Sequence, residues 1–150
     1  MQDRVALITG AGSGIGRCFA EALAAARNDL VLLDVDARGL AETAAALSAG
    51  IATAVADVAD RPALERVVAQ HVAPRGRLDL LVNSRPGTPP ILQRGRRIPP
   101  AVVVRKVLRA VERRRRRVYV PATVRLIAAL EGVAPSLLDW YGARFGIARR

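Results

Sequence analysis

A glycine-dense segment, Thr9-Gly10-Ala11-Gly12-Ser13-Gly14-Ile15-Gly16, directly follows the apolar run Val5–Ile8. Where a strand leads through glycines into a helix, backbone N–H groups and the positive end of the helix dipole converge on one point. That point binds phosphate without a cationic side chain. The segment therefore predicts a seat for a nucleotide diphosphate, and its candidate binding residues are Gly10, Ser13, Gly14, Ile15 and Gly16. The simpler alternative is a glycine turn that only connects a strand to a helix.

Asp34 ends a second apolar run, Leu30–Leu33, 18 residues beyond Gly16. A carboxylate at this place accepts hydrogen bonds from both hydroxyls of an adenosine ribose. It repels a 2′-phosphate, although Arg17 or Arg38 nearby would soften that repulsion. The position favours NAD as the cofactor and disfavours NADP. The alternative role for Asp34 is that of a turn or cap residue.

The elements that must position these residues alternate along the first half of the chain. Strand-like runs at about 5–9, 30–34, 51–56 and 78–82 are separated by helical patterns at about 13–27 and 37–49 and by a third helix with Asp60 as its N-cap. Short connections of this kind require right-handed crossovers and a parallel sheet. The sequence predicts an α/β fold, a partial doubly wound, Rossmann-like sheet with a helical C-terminal remnant. Ligands of such sheets bind at the carboxyl ends of the strands.

Helical periodicity also assigns faces to the predicted helices. In the first helix Ile15, Phe19 and Leu23 recur at helical spacing and form a stripe toward the sheet. In the third helix one face carries Leu64, Val67, Val68 and His71. His71 is therefore interpreted as a structural residue, and Gly76 closes the connection to the fourth strand.

The glycine spacing at Gly10, Gly14 and Gly16 resembles the fingerprint of the short-chain dehydrogenase/reductase family, Thr-Gly-x-x-x-Gly-Ile-Gly, at every fixed position. The pair Asp57-Val58 is similar to the Asp-Val pair that lines the adenine pocket in members of the family. The resemblance implies an NAD(P)-dependent oxidoreductase fold and adds Asp57 and Val58 to the cofactor-binding residues.

The fourth strand ends in Asn83 and resembles the start of the family's Asn-Asn-Ala-Gly motif. Ser84, Arg85 and Pro86 stand where the family has Asn, Ala and Gly, and proline removes a backbone donor. The resemblance thus implies a complete adenosine end, with Asn83 as a cofactor-binding residue, and an altered nicotinamide end.

The catalytic set that the resemblance implies is a serine and a tyrosine followed four residues later by a lysine. Tyr119 is followed at that distance by Thr123 and Tyr141 by Phe145, while the single lysine, Lys106, precedes both tyrosines. No catalytic residue and no metal ligand set is assigned. The chain is interpreted as a truncated family member that binds dinucleotide at most and is inactive alone.

The charge divides the chain into unlike halves. Residues 1–83 carry 8 arginines against 10 acidic residues, and residues 84–150 carry 16 basic residues against 3 acidic ones. The predicted organisation is a dinucleotide-binding half over 1–83, a Pro/Arg-rich linker or junction over 84–100 and a basic helical segment over 101–150. Residues 103–121 resemble the late helix, arginine run and final strand of certain family members. The alternative function is a basic module that binds polyanions, nucleic acid or a membrane surface, although no specific nucleic-acid motif accompanies the run.

The remaining expectations concern the environment and the partners of the chain. Cys18 is the only cysteine, so no disulfide forms within the chain and a reducing, cytoplasmic setting is expected. No apolar run reaches the length of a membrane-spanning helix, and no leader is recognised. A sheet that stops at its fourth strand exposes an edge, which predicts self-association unless residues 118–120 pair there.

Overall fold

The computed structural model of the chain describes residues 2–47, 51–84 and 98–114. The elements in chain order are β1 (Val5–Thr9), α1 (Gly14–Ala25), β2 (Asp29–Asp34), α2 (Ala37–Ala45), β3 (Ile51–Val55), α3 (Arg61–Val67), β4 (Leu80–Asn83) and α4 (Pro100–Glu112). A π-helical turn, Val68–Val72, and a 3-10 turn, Ala73–Arg75, continue α3. The predicted linker over 84–100 and strand over 118–120 fall largely or wholly outside the described residues.

The described strands form a parallel sheet in the order β3-β2-β1-β4. All five residues of β1 are buried, as expected for an apolar strand with a neighbour on each side. Leu7, Val31 and Leu33 point to one face and pack with Val67 and Val72. The α/β, Rossmann-like fold predicted from the sequence is confirmed.

The helix ends differ from the predicted ones for local reasons. The first helix was predicted to reach Arg27 but ends at Ala25, because the Asn28 side chain donates to the Leu23 carbonyl at 2.8 Å and Arg27 takes a left-handed φ of 57°. The second helix ends at Ala45 and not near Ala49. At its end the N–H groups donate to the carbonyl three residues earlier, as in a 3-10 helix, and the Ala46 N–H donates to the Thr43 carbonyl at 3.2 Å.

The third helix departs most from its predicted face. Asp60 is the N-cap, since its carboxylate accepts from the Ala63 N–H at 3.1 Å, as predicted. The π-helical turn then shifts the helical phase, so Val68 is 43% exposed and Val72 is buried in its place. Gly76 ends the segment at a φ of 66°, a conformation that glycine accepts without strain.

The fourth strand begins at Leu80 and not at Leu78. Asp79 lies just before it and accepts from the Val5 N–H at 2.8 Å and from the Arg77 guanidinium at 2.8 and 2.9 Å. These bonds fix Asp79 beside the start of β1. Arg77 and the Val5 N–H keep the pKa of the Asp79 carboxyl below its ordinary value.

The chain divides into two units, residues 1–87 with 100–105 and residues 88–99 with 106–150, so one of the boundaries falls within α4, after Arg105. The helix begins at Pro100, a residue suited to a first helical position because its missing N–H would have no partner there. Its exposed residues include Arg105, Lys106 and Arg109. None of the helices in the described ranges is long and apolar enough to cross a membrane.

Candidate dinucleotide-binding site

The strand register brings the predicted site residues to one edge of the sheet. Thr9 pairs with Leu33 on one side and with Asn83 on the other, and Asp34 pairs with Val55. The Ala56 N–H continues the β2–β3 ladder to the Asp34 carbonyl at 3.1 Å, which places Asp57 next in line. The ends of the parallel strands therefore form one continuous edge, where ligands of such sheets bind.

The glycine turn leaves β1 in a conformation that side chains would disrupt. Gly10 has a φ of 65°, and a Cβ there would stand 2.4 Å from the Ser84 carbonyl oxygen. Gly16 is buried, and a Cβ there would stand 2.0 Å from the Gly10 carbonyl oxygen. These two glycines let the turn fold tightly against α1 and against the end of β4.

The start of α1 faces solvent. Ser13, Gly14 and Ile15 are exposed, so Ile15 does not join the buried stripe of Phe19 and Leu23 that the periodicity predicted. Within this described turn the Ser13 side chain makes no capping hydrogen bond. The N–H groups of a first helical turn have no acceptor inside the helix, so they remain available for an anion.

Gly14 differs from the other glycines of the turn. Its φ is 53°, yet a Cβ there would meet no atom within 4 Å. A side chain at this position would project into open space beside the start of α1. Glycine is thus required here by backbone conformation, and its lack of a side chain leaves this space clear.

Asp34 is held by two backbone donors at the end of β2. Its Oδ2 accepts from the Gly12 N–H at 2.7 Å and its Oδ1 from the Asp36 N–H at 3.0 Å. Each carboxylate oxygen has a second lone pair, so both can still accept from another donor. The half-buried carboxylate is therefore oriented before any ligand binds.

Asn83 and Thr9 join the ends of β4 and β1. The Thr9 hydroxyl donates to Asn83 Oδ1 at 2.8 Å and accepts from the Ser84 N–H at 3.2 Å. The side-chain oxygen of Asn83 thus accepts a hydrogen bond from the neighbouring strand. Thr9 was placed at this edge by the sequence, but its role in fixing Asn83 was not foreseen.

Asp57 and Val58 lie beyond β3 and are exposed. The Asp57 Oδ1 accepts from the Ala59 N–H at 2.8 Å, which closes a local turn and orients the carboxylate. Val58 is 48% exposed, a large fraction for a branched apolar side chain. The two residues can supply a polar and an apolar surface at the same sheet edge.

Two neighbouring residues of α1 add to this description. Arg17 contacts the carbonyl of Gly12 at 2.8 Å, a contact for which the sequence carries no signal. Cys18 is half-buried, and burial, with a smaller effect of Glu21, raises the pKa of its thiol and so keeps it from acting as a ready nucleophile. Among the described residues no cluster of His, Cys, Asp and Glu could hold a metal ion.

The sequence model of the family described as short chain dehydrogenase matches residues 4–89 of the 150 residues. The chain belongs to the short-chain dehydrogenase family. The matched range contains the glycine turn, Asp34, Asp57-Val58 and Asn83, so every candidate residue lies within the part that is shared with the family.

Relatives and solved structures agree with this assignment. Levodione reductase of Leifsonia aquatica is 42% identical over 87 residues, which are 55% of this chain and 33% of that protein. The crystal structure of a short chain dehydrogenase/reductase from Burkholderia phymatum in complex with NAD superposes with a TM-score of 0.51 at 37% identity, covering 53% of this chain and 30% of that one.

A short chain dehydrogenase from Mycobacterium paratuberculosis bound to NAD superposes with a TM-score of 0.53 at 34% identity, covering 58% of this chain and 38% of that one. The matched segment thus spans about a third of the length of the family members it resembles, 33% for levodione reductase.

Proposed function

We propose that this chain is a short-chain dehydrogenase family member that binds a nicotinamide dinucleotide. The observation that carries the proposal is the Asp34 carboxylate, fixed at 2.7 Å by the Gly12 N–H beside the exposed start of α1. The carboxylate offers an acceptor for the ribose, and the start of α1 beside it offers a seat for the diphosphate. Similarity to structures solved with NAD supports the same ligand.

The proposed binding residues follow the order of the ligand's parts. Gly10, Ser13, Gly14, Ile15 and Gly16 form the turn and helix start at the diphosphate, where no cationic side chain is needed. Asp34 accepts from the adenosine ribose, and Asp57 and Val58 line the adenine. Asn83, at the end of β4, is the remaining proposed binding residue. The uncapped helix start and the open space at Gly14 both fit a bound diphosphate.

The charges around Asp34 support NAD in preference to NADP. A 2′-phosphate would lie against the Asp34 carboxylate and meet a like charge. Two arginines near it already have a carboxylate partner in Glu42, Arg17 at 3.5 Å and Arg38 at 3.0 Å. Their positive charge is therefore partly neutralised at the place where a 2′-phosphate would need it.

The chemistry of the family requires more than this half of the site. A nicotinamide supplies a hydride acceptor or donor when bound, and a tyrosine acid with a lysine four residues on moves the proton. The sequence holds no such pair. We infer that the chain lacks the catalytic middle of the family and binds dinucleotide without turnover, as a pseudoenzyme.

Calorimetry on the full chain tests this proposal. NAD and ADP-ribose should bind with similar affinities, with Kd values of about 10 µM to 1 mM, or roughly 4–7 kcal/mol. NADP should bind at least several-fold more weakly. Absence of binding heat for all three ligands would contradict dinucleotide binding. Formation of NADH from NAD and an alcohol, lost in Gly14→Ala, would instead establish an enzyme.

The basic segment supports a second candidate function, binding to polyanions. In α4 and just after it, Arg105, Lys106, Arg109 and Arg113 are all exposed and lie on one side of a helix. Polyanion binding of this kind falls steeply with salt. A labelled heparin fragment should therefore lose affinity between low and high salt, and Arg105→Gln with Arg109→Gln should reduce the slope. A salt-independent signal would contradict it.

The compartment is also a proposal. The single cysteine, Cys18, is a free thiol in the structure. Free thiols persist in reducing compartments, and we place the chain in the cytoplasm.

A further inference from the structure

The side chain of Arg17 joins the glycine turn to α2. Its Nη2 donates to the Gly12 carbonyl at 2.8 Å and to the Gly39 carbonyl at 3.2 Å. Its Nε donates to the Thr43 hydroxyl oxygen at 2.8 Å. One planar guanidinium therefore reaches three acceptors on two separate segments, a geometry that suits the rigid fork of arginine and not the single ammonium of lysine.

Thr43 is a buried hydrogen-bond partner of Arg17. It is 1% exposed, and its hydroxyl donates to the Gly39 carbonyl at 2.9 Å while accepting from Arg17. The hydroxyl is satisfied as donor and acceptor at once. Replacing it by a methyl group would leave the Nε of Arg17 without its buried acceptor.

Gly12 is held on both sides, by Arg17 and by Asp34. Arg17 holds the carbonyl of Gly12, while Asp34 accepts from the N–H of Gly12 at 2.7 Å. A Cβ on Gly12 would stand 2.9 Å from Asp34 Oδ2 and 3.1 Å from the backbone nitrogen of Leu40, so a larger residue here would displace the Asp34 carboxylate. The turn lies between the end of β2 and the start of α2, and the Arg17 side chain joins the turn to α2.

We propose that Arg17 is a positioning residue, which fixes the Gly12 peptide so that the Asp34 carboxylate and the turn face the dinucleotide in one geometry. The proposal rests on the proposed dinucleotide binding. It differs from the role that the sequence suggested for Arg17, softening the repulsion of a 2′-phosphate, because Nε and Nη2 of the guanidinium donate within the protein, to Thr43, Gly12 and Gly39.

Arg17→Met and the matched control Arg38→Met test this role in the full chain. Both variants remove an arginine side chain that contacts Glu42, at 3.5 Å for Arg17 and at 3.0 Å for Arg38. The two arginines differ in burial, because the Arg38 side chain is 89% exposed and the Arg17 side chain 34%. Arg17→Met should weaken NAD binding about tenfold, as expected for loss of a charge-assisted hydrogen bond, and Arg38→Met by less than twofold.

A second measurement needs no ligand. In an ¹⁵N NMR spectrum of the free protein, the Gly12 amide should resonate downfield because it donates to a carboxylate at 2.7 Å. In Arg17→Met this signal should move upfield and its hydrogen exchange should quicken at least tenfold, while the amide of Leu32 in β2 stays unchanged. A general loss of stability would instead quicken both amides.

Thr43→Val serves if Arg17→Met does not fold, and it should shift the Gly12 amide in the same direction with a smaller loss of NAD affinity, about threefold. An unchanged Gly12 amide in these variants, or equal NAD affinities for Arg17→Met and Arg38→Met, would overturn the positioning role. If the unmodified chain does not bind NAD at all, the proposed function fails, and the Gly12 amide still decides whether Arg17 fixes the turn.

Discussion

Asp34 and Gly12 are joined at 2.7 Å, the carboxylate Oδ2 accepting from the backbone N–H across 22 residues of sequence. The bond ties the last residue of β2 to the turn after β1, so the proposed ribose acceptor and the proposed diphosphate seat depend on one contact. A carboxylate that is already anchored needs no reordering when a ligand binds, and this lowers the entropic cost of binding.

Asp34→Asn tests the proposed role of the Asp34 carboxylate in binding the ribose. The amide keeps the size of the side chain but loses its charge and half of its acceptor capacity, so NAD affinity should fall about tenfold, or about 1.4 kcal/mol. NADP affinity should change little or rise, since the like charge is gone. Asp36→Asn is the matched control, because it removes a nearby charge while asparagine caps α2 equally well. Equal effects of the two variants on NAD binding would contradict a specific role for Asp34.

A comparison of substitutions at Gly14 and at Gly76 separates the effect of backbone strain from the effect of ligand contact. Their φ angles are 53° and 66°, and a Cβ on either would meet no atom within 4 Å. Gly14→Ala and Gly76→Ala should therefore each destabilise the fold by about 1 kcal/mol in urea unfolding, the cost of a left-handed alanine. In calorimetry only Gly14→Ala should weaken NAD binding, tenfold or more. Similar NAD affinities in both variants would show that the start of α1 does not contact the diphosphate.

The sequence predicted the strand ends that carry the candidate residues because its signals are local. Apolar runs separated by helical patterns predict a parallel sheet, and strand ends in such a sheet share one edge, which is where the register places Asp34 at the end of β2 and Asn83 at the end of β4. The N-cap Asp60 and the closing Gly76 were predicted for the same reason, since a cap depends on residues next to it in the chain.

Contacts between distant segments were not predictable in this way. The bonds of Arg17 to Thr43 and of Thr9 to Asn83 join residues 26 and 74 positions apart, and nothing near either residue marks its partner. The phase of α3 was also missed. A π-helical turn adds a residue to one turn, so Val68 is exposed although periodicity placed it inward.

The Asp79 carboxylate predicts a pH dependence of stability. Arg77, and then the Val5 N–H, lower the pKa of Asp79 in the folded chain below its unfolded value of about 3.9. A lowered folded-state pKa gives stability that is present above the unfolded pKa and is lost as the pH falls through the folded pKa. Asp79→Asn should thus be less stable than the unmodified chain at neutral pH, and the difference should vanish in acid.

Urea unfolding at neutral pH and below about pH 3 measures this difference. Arg77→Met should reproduce part of the loss at neutral pH, because it removes the first cause of the lowered pKa. Arg66→Met, an exposed arginine of α3, should have no such effect. A gap between Asp79→Asn and the unmodified chain that stays constant with pH would exclude the ionised carboxylate as its source.

Self-association through the sheet edge, expected from the sequence, remains a prediction. Of the described strands, β4 and β3 lie at the two edges, and each exposes a large apolar side chain, Leu81 at 58% and Val55 at 61%. If the β4 edge associates, the sedimentation coefficient of the chain should rise with concentration, and Leu81→Lys should abolish that rise because a buried lysine charge opposes edge pairing. Val55→Lys, the matched change on β3, should preserve it. A chain that sediments as a monomer at all concentrations, or equal effects of both variants, would contradict association at β4.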